Sequence, residues 1–243
     1  MNRFFAFGCS FTNFAYPTYA DILSLNFDHY QNWGRGGSGN HFIFNSIIEA
    51  NQRHNFSTDD TIIVQWTNTG REDRYSHNGW IGDGNIYSQL TYDEDWVKKY
   101  ITERGCLLRD LAFIQAVYLL LINAKCNFKF ISMVPLSKHD EWIDHNNSEV
   151  KNNDIYQVYK EVLQVIRPSF YETVYNKQWL TEMYHNGKLR DSHPTPNEHL
   201  EYIRKVLPEF IITNKMEEFA EQETIKFLNN QKSNFKRSLV KRF

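Results

Sequence analysis

The sequence predicts an α/β domain built on a parallel sheet with helices on both faces. Three observations predict it. Short runs rich in aromatic or β-branched residues recur at Phe4–Phe7, Asp28–Trp33, Thr61–Trp66 and Asn127–Met133. Helical patterns separate these runs, and each run ends in turn formers or a polar loop. Strands that alternate with helices pair in parallel through right-handed crossovers, and a doubly wound sheet is the usual result. Ligands of such sheets bind just beyond the carboxyl ends of the strands. The loops at Ser10, at the glycines after Trp33, at Asn68 and at Pro135 should therefore share one edge.

The totals agree. A chain of 243 residues is long enough to bury roughly 70–75% of the surface its unfolded form exposes, so it needs neither disulfide nor metal to fold. Its net charge of −2 creates no field that favours nucleic acid or a membrane. Cys9, Cys106 and Cys126 are odd in number and lack metal-ligand spacing, which fits reduced thiols. The apolar stretch before Cys9 is too short for a signal peptide. The apolar region Leu111–Ile122 spans 12 residues, too short to cross a bilayer. A cytoplasmic location without membrane contact is expected.

Taken in order, Phe4–Phe7 is a buried strand that stops at Gly8 and presents Ser10 at its end. Tyr19–Leu25 is a short helix, and Asp28–Trp33 a weaker second strand. Four glycines then fall in the six residues Gly34–Gly39, where the backbone must turn sharply or approach something closely. A helix begins near Asn40 and carries Phe42, Ile43, Ile47 and Ile48 at helical spacing. Thr61–Trp66 is the clearest strand, closed by Thr67-Asn68-Thr69-Gly70. From Gly70 to about Asp95 there is no periodicity, only a long polar stretch rich in Tyr and Trp, and such stretches are often lids or binding loops. Asp93–Ala124 is helical with a break expected near Gly105. After the strand ending at Met133, residues 135–153 are irregular and Ile155–Val165 is helical. Thr195-Pro196-Asn197-Glu198 marks a helix start with an N-cap, a proline at the first position and a capping glutamate. An acidic helix and a basic tail end the chain. The expected organisation is a main domain over 1–210, with 70–96 as a lid or insertion, followed by a helix and tail over 211–243.

Serine chemistry needs a hydroxyl, a base, a group that orients the base, and donors for the oxyanion. Ser10 supplies the hydroxyl. His193 is the base, and Asp191, two residues earlier, would orient it. The Ser10 amide, a loop glycine amide and the Asn68 side chain would hold the oxyanion. Plainer readings exist for each piece. Gly8-Cys9-Ser10-Phe11-Thr12 also describes an ordinary strand-to-helix turn, His193-Pro194 a helix entry, and Asn68 a turn residue. The glycine loop lacks the lysine of a phosphate-binding loop and does not follow the first strand. His139, Asp140 and His145 match no metal-ligand spacing, so no metal and no cofactor are expected.

With these motifs in this order, the chain resembles the SGNH hydrolases, also called GDSL esterases. Phe7-Gly8-Cys9-Ser10-Phe11-Thr12 is similar to the first block, with Cys9 where the family name has Asp. Asn32, Gly34 and Gly37 match the second block, and the resemblance makes the Gly37 amide an oxyanion donor. Gln65-Trp66-Thr67-Asn68 stands at the third block with only the Asn kept, and Asn40 is the second candidate for that role. Asp191-Ser192-His193-Pro194 matches the last block, one residue shorter. The resemblance covers residues 4 to about 205. It implies a flavodoxin-like three-layer α/β/α sandwich and a serine esterase with a Ser10–His193–Asp191 triad. In the long polar stretch, Trp80, Tyr75, Tyr87 and Trp96 suit sugar faces, and Arg71 and Arg74 suit an acidic group, so the expected substrate is a small-molecule or glycan O-acyl ester. An O-acyltransferase with the same residues, or a catalytically silent binding module of the same fold, are the alternatives.

Overall fold

The structure, a computed structural model, describes residues 2–81, 84–86, 91–136, 153–175, 184–185, 188–189, 193–236 and 240. Its centre is a parallel sheet of β1 (Arg3–Phe7), β2 (His29–Asn32), β3 (Asp60–Trp66) and β6 (Asn127–Ser132) in the order β2-β1-β3-β6. Two short strands, β4 (Arg74–Ser76) and β5 (Gly79–Ile81), form a separate antiparallel hairpin. The main-sheet order is that of a doubly wound fold. Its direction reverses at β1 and β3, the switch point where such sheets bind ligands.

Alternation along the strands divides the core. Phe4 and Ala6 of β1, with their parallel neighbours Ile63 and Ile131, face one side. There they meet α1 (Tyr19–Leu23), α7 (Phe170–Thr173), α8 (Pro196–Val206) and α9 (Asn214–Leu228) through Ile22, Phe170, Ile203 and Met216. Phe5, Phe7, Ile62, Val64, Trp66 and Phe130 face the other side. They meet α2 (Asn40–His54), α4 (Glu103–Ala124), α5 (Asn153–Val158) and α6 (Lys160–Gln164) through residues such as Ile43, Leu111, Ile155 and Val162. Helices therefore cover both faces of a central parallel sheet, as the sequence predicts. The α9 helix, assigned from the sequence to a terminal appendage, packs into the first of these cores with α8 and α1.

Several boundaries differ from expectation. The helical region after Asp93 breaks before Gly105: α3 (Glu94–Tyr100) ends where Ile101 and Thr102 turn extended, and the Thr102 side chain caps α4 by accepting from Gly105 N–H at 3.0 Å. Gly105 is thus inside the first turn. The α4 helix runs for 22 residues, well beyond the apolar stretch read from the sequence. It is the one described helix long and apolar enough to cross a membrane by length and composition, and Leu107, Leu111, Ile114, Val117 and Leu121 bury one side of it in the core. The stretch after Gly70, read as aperiodic, contains the β4–β5 hairpin. Its tip is Ser76–Gly79, with Gly79 at φ +99°. The two loop residues are His77 and Asn78, and Asn78-Gly79 is a common turn dipeptide.

Candidate active site

Four segments meet at the carboxyl edge of the sheet. The first is the turn after β1. Cys9 C=O accepts from the Thr12 and Asn13 amides, both at 3.0 Å, and this fold-back carries Ser10 and Phe11. Gly8 is required beneath it, because a Cβ there would collide with Thr12 Oγ1 and lie 2.8 Å from Gln65 Oε1. Gln65 projects from β3 under the turn. Its Oε1 accepts from Cys9 N–H at 3.4 Å, Cys9 Sγ at 3.3 Å and Thr12 Oγ1 at 3.4 Å, while Nε2 donates to Trp66 C=O at 2.9 Å. Sequence reading missed this residue. The available signal was a lone amide inside an otherwise apolar buried strand, where a polar group must find partners.

The glycine loop after β2 is stapled to the same turn. Asn32 donates to Thr12 C=O at 2.8 Å and accepts from Gly34 N–H at 2.9 Å. Asn13 donates to Gly34 C=O at 2.9 Å, and Arg35 N–H reaches Gly8 C=O at 3.0 Å. Gly37 takes a left-handed φ of +75° and its carbonyl accepts from Gly84 N–H. Neither the Ser10 nor the Gly37 amide donates to a described residue. Ser38 is fully buried, and its hydroxyl has no partner among the described residues.

Asn68 lies in the loop after β3. It is half-buried, and its Oδ1 accepts from Gly70 N–H, which fixes the amide plane. Its own N–H groups have no described partner. The second candidate, Asn40, has none to spare. It is fully buried, donates to Thr67 C=O at 3.0 Å and Asp110 Oδ2 at 2.7 Å, and accepts from Thr67 N–H at 2.9 Å. Asn40 thus clamps the Asn68 loop to α2 and α4 with both of its N–H groups engaged.

That clamp belongs to a buried charged network. Asp110 accepts from Asn40 and from Arg109 Nε at 2.7 Å, and burial pushes its carboxyl up to about 7. Arg109 also pairs with Glu72 and donates to Arg71 C=O. Asp73 caps α2 from outside, accepting from the amides of Gly39 (2.8 Å) and Phe42 (2.9 Å), and burial raises its carboxyl also.

His193 enters from the loop before α8, whose N-terminus carries the expected capping box of Thr195 and Glu198. Its ring stacks on Phe14, with centroids 3.9 Å apart at 15°, and packs on Phe11 at 5.5 Å. The His193 ring and the Ser10 turn are therefore together. Ser10 is half-buried, and its hydroxyl makes no hydrogen bond to a described residue, His193 included. Asp191 and Ser192 lie outside the described residues, as do Tyr87, His139, Asp140 and His145.

The described residues expected to meet substrate lie on or beside the β4–β5 hairpin. Arg71 donates to Ser38 C=O at 2.8 Å, and Arg74 pairs with Glu72 at 2.8 Å and lies over the Trp96 ring. Both guanidinium groups are engaged internally. Tyr75 is exposed on the hairpin and packs perpendicular to Trp80. Among the described residues no cluster of His, Cys, Asp or Glu suits a metal ion.

No family model and no curated protein matches the chain. Among solved structures it is similar to a member of the lipolytic protein G-D-S-L family from Veillonella parvula, at 14% identity and a TM-score of 0.43 over 86% of this chain and 97% of that one. It is likewise similar to the psychrotrophic esterase EstA from Pseudoalteromonas sp., at 10% identity and a TM-score of 0.43 over 86% of this chain and 98% of that one. Similarity this low decides nothing about the chemistry of the present site.

Proposed function

We propose that the chain is a serine ester hydrolase of the SGNH type, with Ser10 as nucleophile and His193 as base. One observation carries this reading: the His193 ring packs on Phe11 and Phe14, the aromatic residues of the turn that holds Ser10 at the switch point of the sheet. The missing Ser10–His193 hydrogen bond is compatible with it, because catalytic hydrogen bonds are often long without substrate and tighten in the complex.

In the proposed cycle Ser10 Oγ attacks the acyl carbonyl and its proton passes to His193. The oxyanion is held by the amides of Ser10 and Gly37 and by Asn68 Nδ2, whose N–H groups have no described partner. His193 returns the proton to the leaving alcohol. The same imidazole then takes a proton from water, which attacks the acyl-enzyme, and gives that proton to Ser10 Oγ as the acid leaves. Asp191 orients the imidazole in this scheme. The substrate is an O-acyl ester, an acetyl ester of a carbohydrate by preference.

Hydrolysis of p-nitrophenyl acetate tests this. Ser10→Ala and His193→Ala should each reduce turnover to background while the melting temperature holds. Asn68→Ala should lose about 10²–10³-fold in turnover, the usual effect of one oxyanion donor. Unchanged turnover in Ser10→Ala would remove the proposal, and unchanged turnover in Asn68→Ala would remove that residue from the site. Clear preference for long acyl chains would exclude the acetylated carbohydrate.

A further inference from the structure

A cavity of about 320 Å³ opens beside the candidate site, between the glycine loop and the β4–β5 hairpin. That volume is within the range of small-molecule sites, about 300–1,000 Å³. It shares a wall with the nucleophile turn: Asn13, three residues after Ser10, lines it and is bonded to Gly34, also in the lining. Val240, close to the C-terminus, forms part of another wall.

The lining has a definite chemistry. Trp80 supplies aromatic surface with the buried Trp33 and Phe42 behind it, Asn13 and Asn78 supply amides, and Arg35 is the one charged residue among the described lining residues. Trp80 is half-exposed and its plane is fixed by perpendicular packing on His41, Phe42 and Tyr75, at 5.4, 5.5 and 5.5 Å. Arg35 lies over the Phe42 ring at 5.7 Å, and its guanidinium has neither an ion pair nor a hydrogen bond among the described residues. It differs in this from Arg71 and Arg74, which are engaged internally. The Asn78 side chain is likewise without a described partner. Aromatic faces with amides suit the alternating apolar and hydroxyl faces of a pyranose. A lone unpaired guanidinium suits a carboxylate, which it can grip with two parallel hydrogen bonds.

We propose that this cavity is a subsite for a uronate, a sugar ring bearing a carboxylate, with Arg35 on the carboxylate and Trp80 on the ring. The proposal rests on the hydrolase reading for its place in catalysis, because the uronate would position an ester carried on the same glycan next to Ser10. Its binding chemistry stands on the cavity alone.

The test uses the full-length chain and two disaccharides that differ in the acid groups: digalacturonate and its neutral counterpart, α-1,4-galactobiose. Binding is followed by tryptophan fluorescence, since two of the chain's six tryptophans line the cavity, and by calorimetry. Digalacturonate should bind at least tenfold more tightly than galactobiose. Arg35→Gln should erase that preference with no loss of galactobiose binding, and Arg35→Lys should recover part of it. Trp80→Leu should weaken both sugars about tenfold. Equal binding of the two sugars, or an acid preference that survives Arg35→Gln in a folded variant, would overturn the proposal, as would no binding of either sugar. Fluorophosphonate labelling of Ser10 on the same preparations separates the two readings. Labelling without uronate binding removes the subsite and keeps the hydrolase; uronate binding without labelling keeps the cavity as a binding site and removes the hydrolase.

Discussion

The turn that carries Ser10 and the loop that carries His193 meet at Phe11 and Phe14, yet this contact differs in kind from the bonds inside the turn. The Ser10 turn is fixed by hydrogen bonds from three directions: from Gln65 beneath, from Asn32 and Arg35 in the glycine loop, and from Thr18, whose hydroxyl reaches Thr12 C=O at 2.8 Å. His193 meets this turn through a stacked ring and a tilted one. Hydrogen bonds of the first kind are directional and fail when a donor, an acceptor or a fraction of an ångström of clearance is lost. Ring packing is graded by contact area. Substitution within the turn should therefore act abruptly, and substitution at the ring contacts gradually.

Between the two halves, the larger effect is expected at Gly8. Gly8→Ala forces a Cβ into Thr12 Oγ1 and Gln65, so the turn must shift. A displacement of about 1 Å can cost about 10²-fold in rate, and overpacking about 1–3 kcal/mol in stability. Ester hydrolysis and thermal melting check both, and near-normal activity in Gly8→Ala would show that the turn is not fixed in this way. A smaller effect is expected on the other half. Phe14→Leu should lower kcat about tenfold, the scale of an aromatic pair worth about 0.5–1.5 kcal/mol, and leave KM in place. Phe14→Tyr should restore the rate. A loss that tyrosine fails to restore would mean that the stack does not position His193.

The smallest effect concerns the clamp behind Asn68. Burial raises the Asp110 carboxyl to about 7, beside Arg109, Asn40 and Asp73. A carboxyl raised on folding favours the folded state at low pH, and that contribution is lost as pH rises through the folded value. The melting-temperature difference between wild type and Asp110→Asn should move in the variant's favour between about pH 4, the unfolded value, and about pH 7. A pH-independent difference would contradict the raised carboxyl.

The parts of the molecule legible in the sequence are those set by local chemistry. Runs rich in aromatic or β-branched residues mark the four main strands to within a residue or two, and Thr195-Pro196-Asn197-Glu198 marks the start of α8. What escaped depends on distant partners. Asn40 reads as a helix start, and it is one, but its side chain is spent on Thr67 and Asp110, which lie 27 and 70 positions away. Gln65 reads as a flaw in a strand until the turn above it is known. Arg35 reads as a spacer among glycines, while Arg71 and Arg74 attract notice; only their pairing in three dimensions shows which guanidinium has no ion pair or hydrogen bond among the described residues. The β4–β5 hairpin was overlooked for another reason. Its strands are three residues each, too short to show alternation.

The central claim is that Ser10 is a nucleophile activated by His193. The most direct measurement is labelling by a fluorophosphonate probe, with the modified residue mapped by mass spectrometry in wild type, Ser10→Ala and His193→Ala. The account predicts a single phosphonylated residue, Ser10, in wild type, and loss of labelling in both variants. No labelling of folded wild type, or labelling of Ser10 that persists in His193→Ala, would contradict it.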